Sequence, residues 1–237
     1  MNIDNNRDGV CMNNKIIELE NVKKIYKVDN NDFIALNINN ISFEKGKFYA
    51  IIGHSGSGKS TLLQIIGLIK DKTNGTYKLF GKNVDEMNNN EKANIRNKNI
   101  GFMFQDFYLD EDIKAIENVM LPYYISQKKD YKEKQKSIYQ MFNEFNITGK
   151  ELNYPKCLST GEKARVSLMR ALINNPDIIL ADEPTGNLDK DNEKMIFEKL
   201  KKYASEGKCV IVVSHSSEVS EYADVIIRIE KGIITYE

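Results

Sequence analysis

The sequence predicts an α/β protein: a parallel sheet buried between helices, with a helical subdomain inserted into it. Three observations carry this. An apolar stretch at 48–52 runs through a glycine-rich loop into a segment with helical periodicity. Two further continuous apolar runs, at 178–181 and 209–213, are separated by the helix-like KMIFEKLKKYA, and fully apolar strands alternating with helices belong to a sheet covered on both faces. A stretch of different texture, 110–152, interrupts them, with apolar residues at helical spacing and a charged outer face.

Taken in order, residues 1–14 (MNIDNNRDGVCMNN) are polar and read as a mobile tail. From 15 to 50, IIELENV, FIALNINNISFE and KFYAII alternate with Asn, Asp and Gly punctuation, as strands and turns do. TLLQIIGLIK follows as a helix with Leu62, Ile65, Ile66 and Ile69 on one face, ending in a turn at 71–75. In the inserted segment Ile113, Ile116 and Met120 share helical spacing, as do Ile138, Met141, Phe142 and Phe145, either side of KKDYKEKQK. The expected organisation is one core, 15–109 and 153–237, carrying a helical subdomain at 110–152.

Composition narrows the function. The 237 residues hold 34 Lys+Arg against 34 Asp+Glu, whereas a phosphate-backbone-binding face normally shows as a basic excess, so no nucleic-acid partner is expected. Mean hydropathy is −0.49, and no apolar run exceeds about six residues, far short of the roughly 20 that span a bilayer. No signal-peptide apolar region opens the chain. Cys11, Cys157 and Cys209 have no metal-ligand spacing and are odd in number, which fits a reducing compartment better than a disulfide framework.

The chemistry-bearing residues follow the apolar runs, where ligands bind in open α/β sheets. Gly53-His54-Ser55-Gly56-Ser57-Gly58-Lys59-Ser60 fits G-x-x-x-x-G-K-[ST] between a strand and a helix. Its glycines let successive N–H groups turn inward on a polyphosphate, and the helix N-terminus adds partial positive charge. Lys59 is suited to bridge β- and γ-phosphates and the Ser60 hydroxyl to bind Mg²⁺; Thr61 continues the loop into the helix. The run at 178–181 leads into Asp182 and Glu183. Two adjacent carboxylates at a strand end suit a Mg²⁺ ligand (Asp182) and a base for an attacking water (Glu183), although an acidic strand-to-turn junction is also ordinary. His215 follows the run at 209–213 and is placed to donate to a γ-phosphate.

With these residues together, the chain resembles the nucleotide-binding subunits of ABC transporters. The hallmark is Leu158-Ser159-Thr160-Gly161-Glu162 after the helical segment; Ser159 and Glu162 equally fit a helix-opening capping box. The resemblance runs from 15 to 237. It implies a P-loop NTPase (RecA-like) core with an antiparallel β subdomain beside the helical one. It implies that Tyr26 stacks on adenine and that Gln105 touches Mg²⁺ and senses a membrane partner. It also implies that Asp189 lies in the loop between two sites, and that Ser159 and Gly161 face the γ-phosphate held by a second copy of the chain. Tyr26 as an ordinary strand aromatic, and Gln105 as a surface amide, remain open on the residues alone. ENVMLP and ADEPTGNLD are similar to the branch of macrolide-exporter, lipoprotein-release, antimicrobial-peptide-resistance and cell-division ATPases.

The resemblance implies an ATPase using ATP and Mg²⁺, dimeric head to tail, driving a permease from the cytoplasmic face of the plasma membrane. A nucleotide-gated scaffold of the cell-division type is the alternative. Phe107, Tyr108 and Leu109 are candidates for the groove that receives the permease, or else pack beneath the helical segment. One departure from the family pattern is Thr160, where the signature usually has glycine; a β-branched residue there is stiffer and bulkier, but Ser159 and Gly161 are retained, so the composite site is expected to work, with slower closure or hydrolysis.

Overall fold

A computed structural model describes residues 14–28, 31–126 and 130–236. The expected tail lies outside them except for Asn14, whose carbonyl accepts from Lys45 N at 3.0 Å.

Two sheets organise the chain. The first is antiparallel, in the order β2–β1–β4–β5, from β1 (Lys15–Val28), β2 (Asn31–Glu44), β4 (Asn74–Leu79) and β5 (Lys82–Asn83). The second has the order β10–β9–β3–β8–β7–β6, from β3 (Phe48–Ile52), β6 (Ile100–Met103), β7 (Ile178–Asp182), β8 (Cys209–Val213), β9 (Val225–Glu230) and β10 (Ile233–Tyr236). Its strands pair in parallel except for the terminal β9–β10 hairpin. Helices α1 (Lys59–Ile66), α2 (Asn89–Asn99), α3 (Ala115–Ile125), α4 (Tyr131–Glu144), α5 (Thr160–Leu172), α6 (Lys190–Ser205) and α7 (Val219–Tyr222) complete the fold.

The continuous apolar runs are the centre of the parallel sheet because each buries both faces. Ala50, Ile179, Ala181, Val210 and Val212 pack on one side with residues of α3 to α6. Their strand neighbours Ile51, Ile178, Leu180, Ile211 and Val213 pack on the other, with α1 and the antiparallel sheet. Side chains alternate across a strand, so a run of five apolar residues feeds two cores at once. The loops leaving β3, β7 and β8 at their carboxyl ends all open at one edge of this sheet, and the site lies there.

Two sequence expectations change in detail. Helix α1 stops at Gly67, whose N–H bonds Leu63 O at 2.8 Å; Ile69 therefore leaves the apolar face and is 46% exposed. A Cβ at 67 would lie 2.9 Å from Phe102 and 3.1 Å from Leu180, so glycine lets the end of α1 pack closely on these two residues. Secondly, the trio at 107–109 splits: Phe107 is buried in the core beside α3 and α5 and Leu109 is partly buried against the same core, whereas Tyr108 is exposed. Tyr108 is the most exposed of the three.

Candidate functional site

The residues after β3 build a cradle. Gly58 has φ 107, and a Cβ there would lie 2.6 Å from the carbonyl of Ala35 on β2, so only glycine lets the loop close against the antiparallel sheet. Gly53 makes a similarly close approach: a Cβ there would overlap the carbonyl of Ile229 on β9. At Gly56 a Cβ would meet nothing within 4 Å: the loop turns an open face to the cavity. The N–H of Gly232, in the β9–β10 turn, holds Ser57 O at 2.9 Å from behind.

This loop lines a cavity of about 380 Å³. Ser55, Gly56, Ser57, Gly58, Lys59, Ser60 and Thr61 form its floor. Tyr26, Phe33 and Ala35 of the antiparallel sheet line it as well, as do Gln105, Glu183 and His215. Asp182 joins through Ser60, whose Oγ donates to Asp182 Oδ1 at 3.0 Å. Lys59 is buried and donates from Nζ to the carbonyls of Gly53 and His54 at 2.8 and 3.0 Å. Ser57 Oγ is buried without a hydrogen-bond partner, which is costly unless a ligand supplies one.

Electrostatically the cavity sets one cation between two carboxyl groups. Burial lowers the Lys59 pKa, opposed by the charges of Glu183 and Asp182. Burial raises Asp182, against the Ser60 hydroxyl and Lys59. It raises Glu183 too, against the His215 N–H, the His215 ring and Lys59. Glu183 sits at φ 47, a conformation that costs a side-chain-bearing residue about 1–2 kcal/mol. It is held there by His215: the His215 backbone N–H donates to Oε2 at 3.0 Å, and Nε2 lies 3.0 Å from Oε1. Among the described residues no cluster of three or more His, Cys, Asp or Glu could hold a metal by itself. The Ser60 hydroxyl with a single carboxylate is instead the sparse oxygen set that suits Mg²⁺ shared with phosphates.

Ser159, Gly161 and Asp189 do not line this cavity. Ser159 is the N-cap of α5: its Oγ accepts from Glu162 N at 3.3 Å, and Glu162 Oε2 accepts from Ser159 N at 2.8 Å. The capping box and the signature are thus the same residues; Ser159 and Thr160 are exposed, whereas Gly161 is buried. Asp189 caps α6 and accepts from both the backbone N–H and the side-chain amide of Asn192 at 2.9 Å. Asn192 in turn accepts from Arg165 Nη1 at 3.0 Å. A Cβ on Gly161 would be 2.5 Å from Asn192 Oδ1, so the starts of α5 and α6 are locked together.

Sequence reasoning missed Phe33, Ala35 and Arg170. The first two lie on β2, whose pairing with β1 no local pattern reveals. Arg170 donates to Tyr108 O at 2.6 Å and to Phe107 O, holding the loop after Gln105 against α5.

The sequence matches the ABC transporter family over residues 36–186. It is 39% identical over 220 residues to the macrolide export ATP-binding/permease protein MacB of Chlorobaculum tepidum, covering 92% of this chain and 33% of that protein. It is 38% identical over 230 residues to the lipoprotein-releasing system ATP-binding protein LolD of Buchnera aphidicola, covering 95% of this chain and 100% of LolD. The chain thus spans about a third of the MacB relatives and the whole of LolD. The dimeric structure of the ATP-binding cassette MJ0796 with ADP and Pi superposes with a TM-score of 0.86 at 36% identity, covering 93% of this chain and 98% of that one.

Proposed function

The chain belongs to the ABC transporter family, and from that premise we propose that it is an ATP-hydrolysing subunit that powers a membrane permease. The observation that carries this reading is the convergence on one cavity of the phosphate loop, the Ser60–Asp182 pair and the Glu183–His215 pair.

ATP enters with its phosphates on the loop and its base on Tyr26. Lys59 exchanges its contacts with the Gly53 and His54 carbonyls for phosphate oxygens, and the Ser57 hydroxyl gains the partner it lacks. Ser60, Asp182 and Gln105 would hold Mg²⁺, which would supply neutralisation of phosphate charge. Glu183 takes a proton from a water that attacks the γ-phosphorus; the bond to the β-bridging oxygen breaks, leaving ADP and phosphate. His215 keeps Glu183 in position and donates toward the γ-phosphate.

Hydrolysis needs a second copy. Ser159 and Thr160 at the N-terminus of α5 are exposed, with Gly161 buried behind them against Asn192, so each closed site takes its loop from one protomer and its signature from the other. That contact is twofold and self-complementary. Asp189 lies between the two sites. ATP closes this dimer and loss of phosphate reopens it, a ligand-driven population shift. Among the described residues no helix is long and apolar enough to cross a membrane, so force passes to a separate chain or domain. The contact is at the exposed Tyr108 beside Gln105, on the cytoplasmic face. The MacB and LolD relatives favour an exporter or release system for peptides, lipids or drugs over a regulatory scaffold.

The test is isolation of the tagged chain from native membranes in mild detergent, with phosphate release measured on the product. Co-purification of a permease together with Mg²⁺-dependent ATP hydrolysis is expected. A chain found only in the soluble fraction, with no membrane partner, overturns the transport reading.

A further inference from the structure

The base end of the cavity is built by strands, not by the phosphate loop. Tyr26 on β1 and Phe33 on β2 are directly opposite each other in the register. Opposed residues of an antiparallel pair project from the same face, with Cβ atoms about 5 Å apart. Both line the cavity that holds Lys59 and Ser60. Tyr26 is fixed in place: Lys70 Nζ donates to its hydroxyl at 3.3 Å, and the ammonium groups of Lys24 and Lys70 stand 5.2 and 5.5 Å from its ring centroid. Phe33 is 55% exposed. Its neighbour Ile34 is exposed as well but does not line the cavity, as strand alternation requires. Two residues on, Ala35 lines it with a side chain small enough to leave room beside Phe33.

We propose that Phe33 is a second base-binding aromatic, so that the base of the nucleoside triphosphate is held across two adjacent rings, Tyr26 and Phe33. The proposal rests on the nucleotide reading above and adds a residue that the family pattern does not point to. An exposed phenyl ring on a wall of the cavity gains by losing water to a flat aromatic ligand. The stacking energy comes from the π-face that every base has, and is indifferent to the hydrogen-bonding edge. Phe33 therefore raises the affinity for adenine and guanine nucleotides alike, and does nothing for the triphosphate moiety.

The experiment uses the full chain with Mg²⁺ and titrates three probes by calorimetry: the non-hydrolysable β,γ-imido analogues of ATP and GTP, and inorganic triphosphate. Phe33→Ala is expected to weaken both purine analogues by a common factor of about ten. Triphosphate binding stays unchanged, Phe33→Tyr restores the purine affinity, and the melting temperature is unaltered because Phe33 is outside the core. Unchanged purine affinity in Phe33→Ala, with a loss in Tyr26→Ala, overturns the role of Phe33 while leaving the nucleotide site standing. An equal loss for triphosphate also overturns it, since Phe33 would then act through the loop. Failure of the unsubstituted chain to bind any of the three overturns this proposal and the nucleotide reading together.

Discussion

Replacing Arg170 with Met probes how the loop after Gln105 is held. Phe107 and Tyr108 are consecutive residues at φ 59 and 44. Each left-handed residue with a side chain costs about 1–2 kcal/mol, so the pair stores roughly 2–4 kcal/mol. Arg170 offsets that by donating to both of their carbonyls, and hydrogen bonds from a charged donor contribute about 1.5–3 kcal/mol each. Burial alone accounts for the lowered pKa of its guanidinium, and among the described residues no carboxylate is paired with it; the carbonyl dipoles are its compensation. In Arg170→Met those bonds vanish, but the loop relaxes and recovers its strain, so the global loss in urea unfolding is expected to be only about 1–3 kcal/mol. The larger effect is local. The amides of Phe107 and Tyr108, which bond Phe104 O at 3.1 Å and Asp106 O at 2.6 Å, should lose hydrogen-exchange protection selectively, and Arg170→Lys should recover part of it. A stability loss of the same size with exchange at 107 and 108 unchanged would reduce Arg170 to a packing residue of α5 and remove its role in holding the loop.

Other consequences follow from the same geometry. Ser159→Ala removes the acceptor for Glu162 N and should cost about 1 kcal/mol in chemical denaturation, with ATP hydrolysis falling by more than that accounts for; a proportionate fall would make the residue a cap alone. Gly232→Ala sets a Cβ 2.7 Å from Ala35 O at φ 77 and loosens the brace on Ser57, so ATP affinity measured by calorimetry should fall at least several-fold while the isolated fold persists. Asp182 and Glu183 have folded pKa values raised by burial, so between the ordinary carboxylate pKa and the raised value the folded state holds protons that the unfolded chain has released. The nucleotide-free protein therefore loses stability as pH rises through that window. Asp182→Asn should melt higher than the unsubstituted chain above the window, and at the same temperature below about pH 4; an unchanged difference across pH would contradict it. Glu162 has the opposite sign. Burial raises its pKa, but the Ser159 N–H and Lys150 outweigh it and the net shift is downward, so its contribution is present at neutral pH and lost as pH falls through the lowered value.

The parts legible in the sequence are those whose pattern is local. β7 and β8 declare themselves because their apolar positions alternate between two cores, and the phosphate loop because its glycines stand at fixed spacing before a helix. The segment between α1 and Gln105 is opaque for the converse reason. Helix α2 buries none of its residues and so has no apolar stripe, and β4 offers only Tyr77 and Leu79 as buried positions. Its place is fixed by pairing with β1, which is not written in its own residues. The same holds within the site. Lys59, Ser60, Asp182 and Glu183 are readable as chemistry, whereas Arg170 acts on carbonyls 62 and 63 residues away in sequence, and Phe33 acquires its meaning only from facing Tyr26. Gly161 is likewise intelligible only with Asn192 against it.

In the proposed cycle ATP joins two copies of this chain through the outward-facing start of α5, and Glu183 ends that state. The decisive measurement is light scattering on Glu183→Gln, with and without saturating Mg²⁺ and ATP. The expected result is the single-chain mass of 27.2 kDa without nucleotide and twice that mass with it, with reversion when Ser159 is also replaced by Phe. A variant that binds ATP with full affinity yet stays at the single-chain mass at saturation would contradict the composite site.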